Sequence, residues 1–109
     1  MATIMLMEWA GVTQSQYNQT MKNLDLDKNP PDGGIFHVAG FSEGTLRVLD
    51  IWKSQQAYEQ FQRDRIIPAA QKAGIGGQPK VLLYPAHNIY APETETLKKV
   101  GDSSLPLTA

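Results

Sequence analysis

Residues 35–52 read IFHVAGFSEGTLRVLDIW, two runs of β-forming residues on either side of a short polar segment. A two-residue turn at Glu43 and Gly44 would join the runs as a hairpin, because glycine tolerates the positive φ that such turns require. Glutamate is a less usual first turn residue than asparagine or aspartate. This turn predicts that Ser42 pairs with Thr45, which sets the register of the whole hairpin.

The predicted register places His37 directly opposite Asp50, with Trp52 on the same face of the hairpin. Side chains alternate along a strand, so the two faces carry separate sets of residues. Both sets are largely apolar. The first face carries Ile35, His37, Ala39, Phe41, Leu46, Val48, Asp50 and Trp52, and the second carries Phe36, Val38, Gly40, Arg47, Leu49 and Ile51.

The segments on either side of the hairpin predict further strands and helices. Residues 4–9 (IMLMEW) form a short apolar run that is typical of a buried strand. Thr13 and Gln16 have the spacing of a capping box at the start of a helix. The apolar residues of this helix follow at i, i+4 and i+7, namely Tyr17, Met21 and Leu24. Ser54 predicts the start of a second helix, in which Pro68 should cause a kink.

A last strand is predicted within residues 79–90, which gives the order β-α-β-β-α-β. Two right-handed βαβ units then form a four-stranded antiparallel sheet with both helices on one face, the split βαβ or ferredoxin-like α+β fold. Residues 1–92 are predicted to form this domain. The polar residues 93–109, which include Pro106, are predicted to form a C-terminal tail.

A sheet that is apolar on both faces predicts a partner. Two helices cover only one face, and the other would expose an apolar patch larger than soluble monomers usually tolerate. Packing two such sheets face to face would bury both patches in a homodimer, a dimeric α/β barrel. The alternative is a monomer with a lipid- or ligand-sized groove on that face.

The composition excludes several classes of protein. The chain has 109 residues, no cysteine and a formal net charge of −1. The lack of cysteine excludes disulfides, thiolate-bound zinc, iron–sulfur clusters and thiol catalysis. No basic stripe favours nucleic acid, and no apolar run reaches the roughly 20 residues of a membrane span. Because the N-terminus lacks a signal-peptide pattern, we expect a cytoplasmic location.

His37 and Asp50 are the candidate catalytic residues. The second hairpin face has fewer polar groups, so we expect the helices to cover it and this pair to point into the space between two sheets. A histidine oriented by a carboxylate can act as a general base, and Trp52 would stack against a flat ligand. The alternative is a hydrogen-bonded pair that only fixes the register of the strands.

His87 and Tyr90 are predicted as further ligand-binding residues near the end of the last strand, where a dimer partner could be reached. A single histidine in such a position is more often a surface or interface residue. His37, His87 and Asp50 could in principle form a facial triad, but their spacing does not support a metal site. No glycine-rich loop precedes a helix, as phosphate binding would require.

The run Asp50-Ile51-Trp52-Lys53-Ser54, followed by Ala57-Tyr58 and Phe61, resembles the D-x-W-x-S…F stretch of the antibiotic-biosynthesis-monooxygenase-like families. The segments HVAG at 37–40 and HNIY at 87–90 are also similar to sequences of bacterial members of unknown role. The resemblance extends over about residues 3–90. It implies a dimeric α/β barrel with a ligand cavity between sheet and helices, but no particular activity, because the superfamily includes oxygenases, haem-degrading enzymes, isomerases and lyases.

The resemblance also bears on cofactors. The monooxygenase relatives surround a polyphenol with Trp, Asn, Tyr or His groups and use neither metal nor flavin. Trp52 matches the tryptophan of that pattern, whereas residues 7–9 (MEW) stand where a first-strand asparagine is expected. Haem-degrading relatives carry a histidine on the helix after the tryptophan, and residues 61–63 (FQR) contain none. The resemblance therefore implies a protein without a cofactor.

Two functions are consistent with these observations. In the first, the chain binds a small aromatic or polyketide-like metabolite as a cofactor-independent monooxygenase-like enzyme, and His37, oriented by Asp50, removes a phenolic or α-carbonyl proton. In the second, it is a non-catalytic dimeric barrel that acts as a binding or interaction protein. A response to phenols and quinols in thermal shift and oxygen consumption would distinguish them.

Overall fold

The predicted hairpin is present in the structure, a computed structural model that describes residues 1–100 of the chain. Its strands are β2 (Gly34–Ser42) and β3 (Thr45–Trp52). Glu43 and Gly44 between them have φ of 53° and 71°, as a two-residue type I′ turn requires. The predicted register is confirmed from the turn to the pair of Phe36 with Ile51.

The hairpin register changes at its open end. An irregularity between Gly34 and Phe36 leaves Ile35 without a partner and places Gly34 opposite Trp52. The predicted pairing of Ile35 with Trp52 is therefore wrong. A Cβ at Gly34 would lie 2.7 Å from Cγ of Pro31, so the close approach of the preceding loop is possible because residue 34 is glycine.

Two more strands complete the predicted four-stranded antiparallel sheet. Strand β1 (Thr3–Ala10) pairs antiparallel with β3 on one side and with β4 (Lys80–Pro85) on the other. The resulting order is β2-β3-β1-β4, with β2 and β4 as the edge strands. The structure therefore has the predicted ferredoxin-like α+β fold.

Helix α1 (Gln14–Leu24) begins at the predicted capping box. Oγ1 of Thr13 accepts a hydrogen bond from the backbone N–H of Gln16, and the Gln16 side chain accepts one from the backbone N–H of Thr13. The predicted apolar face of Tyr17, Met21 and Leu24 is buried against the sheet.

The second helical segment is interrupted, as Pro68 predicts. It consists of helix α2 (Gln55–Phe61), a π-helical turn (Gln62–Ile66) and helix α3 (Ile67–Lys72). The backbone N–H of Ile67 bonds to the carbonyl of Gln62, five residues earlier, as in a π-helix. The wider turn changes the phase of the helix, so that Phe61 and Ala70 both join the core.

The helices cover the face of the sheet that carries His37 and Asp50. Leu46, Val48, Asp50 and Trp52 alternate along β3 and are all buried, and the core consists of residues on this face and on the helices. The predicted assignment of faces is therefore wrong, and His37 and Asp50 do not point into a space between sheets. The pair tolerates burial because neighbouring side chains provide partners for its polar atoms.

The opposite face of the sheet is left uncovered by α1, α2 and α3, and we call it the outer face. Directly paired residues form two apolar rows across all four strands. One row is Phe36, Ile51, Ile4 and Tyr84, and the other is Val38, Leu49, Leu6 and Leu82. A third row, next to the two apolar rows, carries the charged residues Arg47, Glu8 and Lys80. Arg47 and Glu8 form an ion pair at 2.8 Å. The predicted apolar character of both faces is confirmed.

A short helix, α4 (Thr94–Val100), lies inside the predicted tail. Residues 101–109 lie outside the described residues, so the boundary at 92 and 93 stays a prediction. Within residues 1–100, no helix has the length and apolar character to cross a membrane.

Candidate functional site

His37 and Asp50 meet across the β2–β3 pair, as predicted. Nδ1 of His37 lies 2.7 Å from Oδ1 of Asp50. The carboxylate is 5 % exposed, and its second oxygen, Oδ2, accepts a hydrogen bond from the indole Nε1–H of Trp52 at 3.0 Å. Both oxygens of this buried carboxylate are therefore bonded by side chains of the sheet.

Tyr17 is a further member of the site, although its sequence pattern predicts only a place on the apolar face of α1. Its hydroxyl oxygen lies 2.6 Å from Nε2 of His37, and the two rings are nearly parallel, 8° apart. A buried tyrosine hydroxyl usually has a hydrogen-bond partner. This rule would have connected Tyr17 to His37 if the faces of the sheet had been assigned correctly.

The hydrogen-bond pattern determines where the protons lie. A carboxylate accepts hydrogen bonds, so in the neutral imidazole Nδ1 of His37 carries the proton toward Asp50 and Nε2 is the acceptor. Burial raises the pKa of the Tyr17 hydroxyl above its ordinary value of 10.0, and the charge of Asp50 raises it further. Tyr17 therefore stays protonated and donates to His37, which in turn donates to Asp50.

Trp52 is held from the helix side of the sheet by two aromatic rings. Its ring centroid lies 5.8 Å from that of Tyr58, edge-on, and 5.2 Å from that of Phe61. The Tyr58 hydroxyl donates to the side chain of Gln62 in the π-helical turn. Trp52 is 3 % exposed, so the predicted stacking of a ligand on this ring stays a prediction that requires the two aromatic neighbours to move.

His37 is the member of the site with the most access to solvent. Its side chain is 25 % exposed, because it lies on the edge strand β2. Two concave surfaces of about 380 and 430 Å³ lie elsewhere, one over the outer face near Val38 and one between loop residues 30–33 and α2. A ligand would therefore approach the site from the β2 edge.

His87 and Tyr90 do not join this site within one protomer. Both follow β4, which is the edge strand opposite β2, and both are exposed. Their ligand-binding role stays a prediction. Within residues 1–100, no group of three His, Cys, Asp or Glu side chains is arranged to hold a metal ion.

The two buried tyrosines predict a loss of stability at alkaline pH. Burial raises the pKa of Tyr17 and of Tyr58, and the charge of Asp50 adds to both shifts. Because both pKa values are higher in the folded than in the unfolded chain, their stabilisation is complete below pH 10 and is lost as the pH rises above it. The slope should be about 1.4 kcal/mol per pH unit for each tyrosine.

Urea unfolding at increasing pH measures this loss in the wild type and in a double variant, Tyr17→Phe with Tyr58→Phe. Lysine titration is common to both proteins, so the difference in slope isolates the tyrosines. Equal slopes in the two proteins would contradict the prediction.

Several solved structures share the fold of this chain. Rv0793 from Mycobacterium tuberculosis is similar with a TM-score of 0.62 at 10% identity, over 84% of this chain and 100% of its own. A variant of SnoaB, a cofactor-independent oxygenase from Streptomyces nogalater, has a TM-score of 0.58 at 9% identity. The match covers 81% of this chain and 95% of SnoaB. The monooxygenase ActVA-Orf6 from Streptomyces coelicolor, in complex with Nanaomycin D, has a TM-score of 0.54 at 15% identity. The match covers 84% of this chain and 92% of ActVA-Orf6.

The TM-scores show a common protomer fold, which confirms the ferredoxin-like fold expected from the resemblance to antibiotic-biosynthesis-monooxygenase-like proteins. The dimeric barrel that the resemblance implies stays a prediction. No protein-family model matches the chain, and no curated protein matches it either.

Proposed function

We propose that the chain binds a small aromatic or polyketide-like metabolite at His37 and acts on it as a cofactor-independent monooxygenase-like enzyme. The observation that carries this proposal is the imidazole of His37, which is oriented by a buried carboxylate and partly exposed at the edge of an apolar layer. A base oriented in this way is a common means of proton abstraction in enzymes.

The chemistry begins with the loss of an acidic proton from the ligand. His37 takes up a phenolic or α-carbonyl proton, and Asp50 stabilises the imidazolium that forms. The remaining anion is electron-rich and can react with O2 without a metal or flavin. SnoaB, a cofactor-independent oxygenase, and ActVA-Orf6, a monooxygenase with a bound ligand, have the same fold, which supports this reaction class.

His37→Gln is expected to abolish turnover while it preserves the fold. Glutamine keeps much of the size of histidine and can bond to Asp50, but it cannot act as a base near neutral pH. Loss of a general base lowers rates by roughly 10²–10⁴-fold. A panel of phenols and quinols, measured by thermal shift and then by oxygen consumption, supplies the test for the wild type and the variant.

The comparison with His87→Gln locates the site. If His37→Gln responds to every ligand as the wild type does and His87→Gln does not, the site lies in the segment after β4 and the proposal for His37 is wrong.

A second candidate function is a binding or interaction protein without catalysis. Every buried side-chain nitrogen or oxygen among residues 1–98 has a hydrogen-bond partner. A network that is fully satisfied without a ligand is also what a purely structural His37–Asp50 pair would show. Ligands that raise the melting temperature without oxygen consumption, in both the wild type and His37→Gln, would favour this function.

We also propose that the chain forms a homodimer through its outer face. The two apolar rows place eight apolar side chains on this face, and none of them is buried in the protomer. Val38 and Leu82 are 49 % and 59 % exposed. Packing the outer faces of two copies together would remove these side chains from water, as in two stacked sheets.

A further inference from the structure

Both ring nitrogens of His37 are occupied. Nδ1 lies 2.7 Å from Oδ1 of Asp50, and Nε2 lies 2.6 Å from the hydroxyl oxygen of Tyr17. A general base must present a lone pair to the proton that it removes, and in this tautomer the basic lone pair is at Nε2. Because that lone pair accepts the Tyr17 proton, a ligand can transfer a proton to His37 only through Tyr17 or after Tyr17 has moved.

Tyr17 is firmly held in its position. It is 6 % exposed, it belongs to the core face of α1, and its ring packs edge-on against Phe41 with centroids 6.1 Å apart. Moving it would break the bond to His37 and open the core beneath α1. Its oxygen, in contrast, keeps an acceptor lone pair after it has donated its single proton. The route through Tyr17 is therefore the less costly one.

We propose that Tyr17 is a catalytic residue that relays the ligand's proton to His37, an inference that rests on the proposed function. A hydroxyl of the ligand donates to the oxygen of Tyr17 while the Tyr17 proton passes to Nε2. The O–H bond of the ligand and the original O–H bond of Tyr17 break, while a new O–H bond forms on Tyr17 and an N–H bond forms on Nε2 of His37. The products are a ligand oxyanion, a neutral Tyr17 and an imidazolium paired with Asp50, and no electrons are transferred.

The relay also selects the class of ligand. The ligand must arrive with a proton that an imidazole can remove, which fits a phenol or a stabilised enol. A carboxylic acid is already ionised at neutral pH and has no proton to give. An aliphatic alcohol holds its proton too strongly for a histidine to remove it. The inference therefore narrows the proposed substrates to phenolic and enolic compounds.

The first test needs no ligand. Nitrogen-15 NMR of the two imidazoles reports which ring nitrogen carries the proton and which accepts a hydrogen bond. In the wild type, His37 should be protonated at Nδ1 and accept at Nε2. Tyr17→Phe should shift the Nε2 resonance of His37 and leave His87 unchanged as the internal reference. A wild-type His37 protonated only at Nε2, or one unaffected by Tyr17→Phe, would overturn the relay.

The second test uses 4-nitrophenol and 1-naphthol, whose anions have distinct absorption spectra, at a pH where the free probes are mostly un-ionised. The wild type should bind them as anions. Tyr17→Phe and His37→Gln should each reduce the bound anion by about tenfold or more. The matched control is Thr20→Val, which removes another buried hydroxyl of α1, one that bonds to the carbonyl of Gln16 and not to His37. This control should leave the bound anion unchanged.

The outcomes separate the two proposals. If neither probe binds the wild type, the proposed function fails and the relay fails with it. If the probes bind as anions in the wild type, lose the anion in His37→Gln and keep or increase it in Tyr17→Phe, the proposed function stands and the relay is overturned.

Discussion

Asp50→Ala is expected to lower the free energy of unfolding by about 2–6 kcal/mol, because two donors lose their acceptor and each buried donor left unsatisfied costs about 1–3 kcal/mol. The carboxylate is 5 % exposed and accepts hydrogen bonds from His37 and Trp52. Its removal leaves the indole N–H of a buried tryptophan and Nδ1–H of His37 without their partners. A domain of this size has a total stability of roughly 5–15 kcal/mol, so the loss is a large share of it.

Urea unfolding followed by tryptophan fluorescence measures this change. The matched control is Asp27→Ala, which removes an exposed carboxylate and should change the stability by less than about 0.5 kcal/mol. Trp52→Phe tests the mechanism, because it removes one of the two donors. The double variant should then lose less than the sum of the single losses. A loss below about 1 kcal/mol for Asp50→Ala would show that the network contributes little to the fold.

The hairpin register could be predicted because it depends on local chemistry. A two-residue turn with glycine in its second position fixes which residues pair, and five residues along each strand from Ser42 and Thr45 the pairing still places His37 opposite Asp50. The start of α1 is local in the same way, since Thr13 and Gln16 satisfy each other's backbone groups. The interruption near Pro68 follows from a missing N–H and a ring that does not fit a regular helix.

The end of the hairpin could not be predicted, because it depends on contacts distant in the chain. The loop before β2 approaches β3 and α2, where the backbone N–H of Lys53 bonds to the carbonyl of Gly33 at 2.8 Å. A Cβ at Gly33 would lie 2.8 Å from the Cβ of Ala57. The irregularity at Ile35 accompanies this docking, which no pattern within residues 33–36 indicates.

The assignment of faces was wrong because the number of polar groups on a face does not decide whether it is buried. What decides it is whether those groups find partners when they are covered. Here Tyr17 comes from α1 and Trp52 from the sheet itself, and together they complete the hydrogen bonds of His37 and Asp50. The composition of a single strand pair contains no information about Tyr17, so the site was predicted in part and this further member was missed.

Val38→Lys is expected to weaken the proposed homodimer by roughly 10³-fold or more. Val38 is the β2 member of an apolar row that crosses the outer face, and it is 49 % exposed in the protomer. A two-fold interface contains each substitution twice, so two lysines would be desolvated, at several kcal/mol for each uncompensated charge. The protomer itself should keep its fold, because the new side chain can reach water.

Sedimentation equilibrium at micromolar concentration measures the assembly. The wild type should have twice the protomer mass of 12.1 kDa, and Val38→Lys should have the protomer mass. The matched control is Gln71→Lys, which adds the same charge to an exposed position of α3 and should remain dimeric. A wild type of 12.1 kDa would refute the dimer and favour a monomer whose outer face binds a lipid or another ligand.

The Val38→Lys protomer also shows whether one copy of the chain contains a complete site. His37, Asp50 and Tyr17 lie on the helix-covered face, so loss of the partner should leave the binding of 4-nitrophenol nearly unchanged. His87 and Tyr90 follow the opposite edge strand and reach a ligand at His37 only if a partner brings them there. If the dissociated variant loses binding while its fold is intact, the partner contributes to the site, and the segment after β4 is where that contribution would be sought.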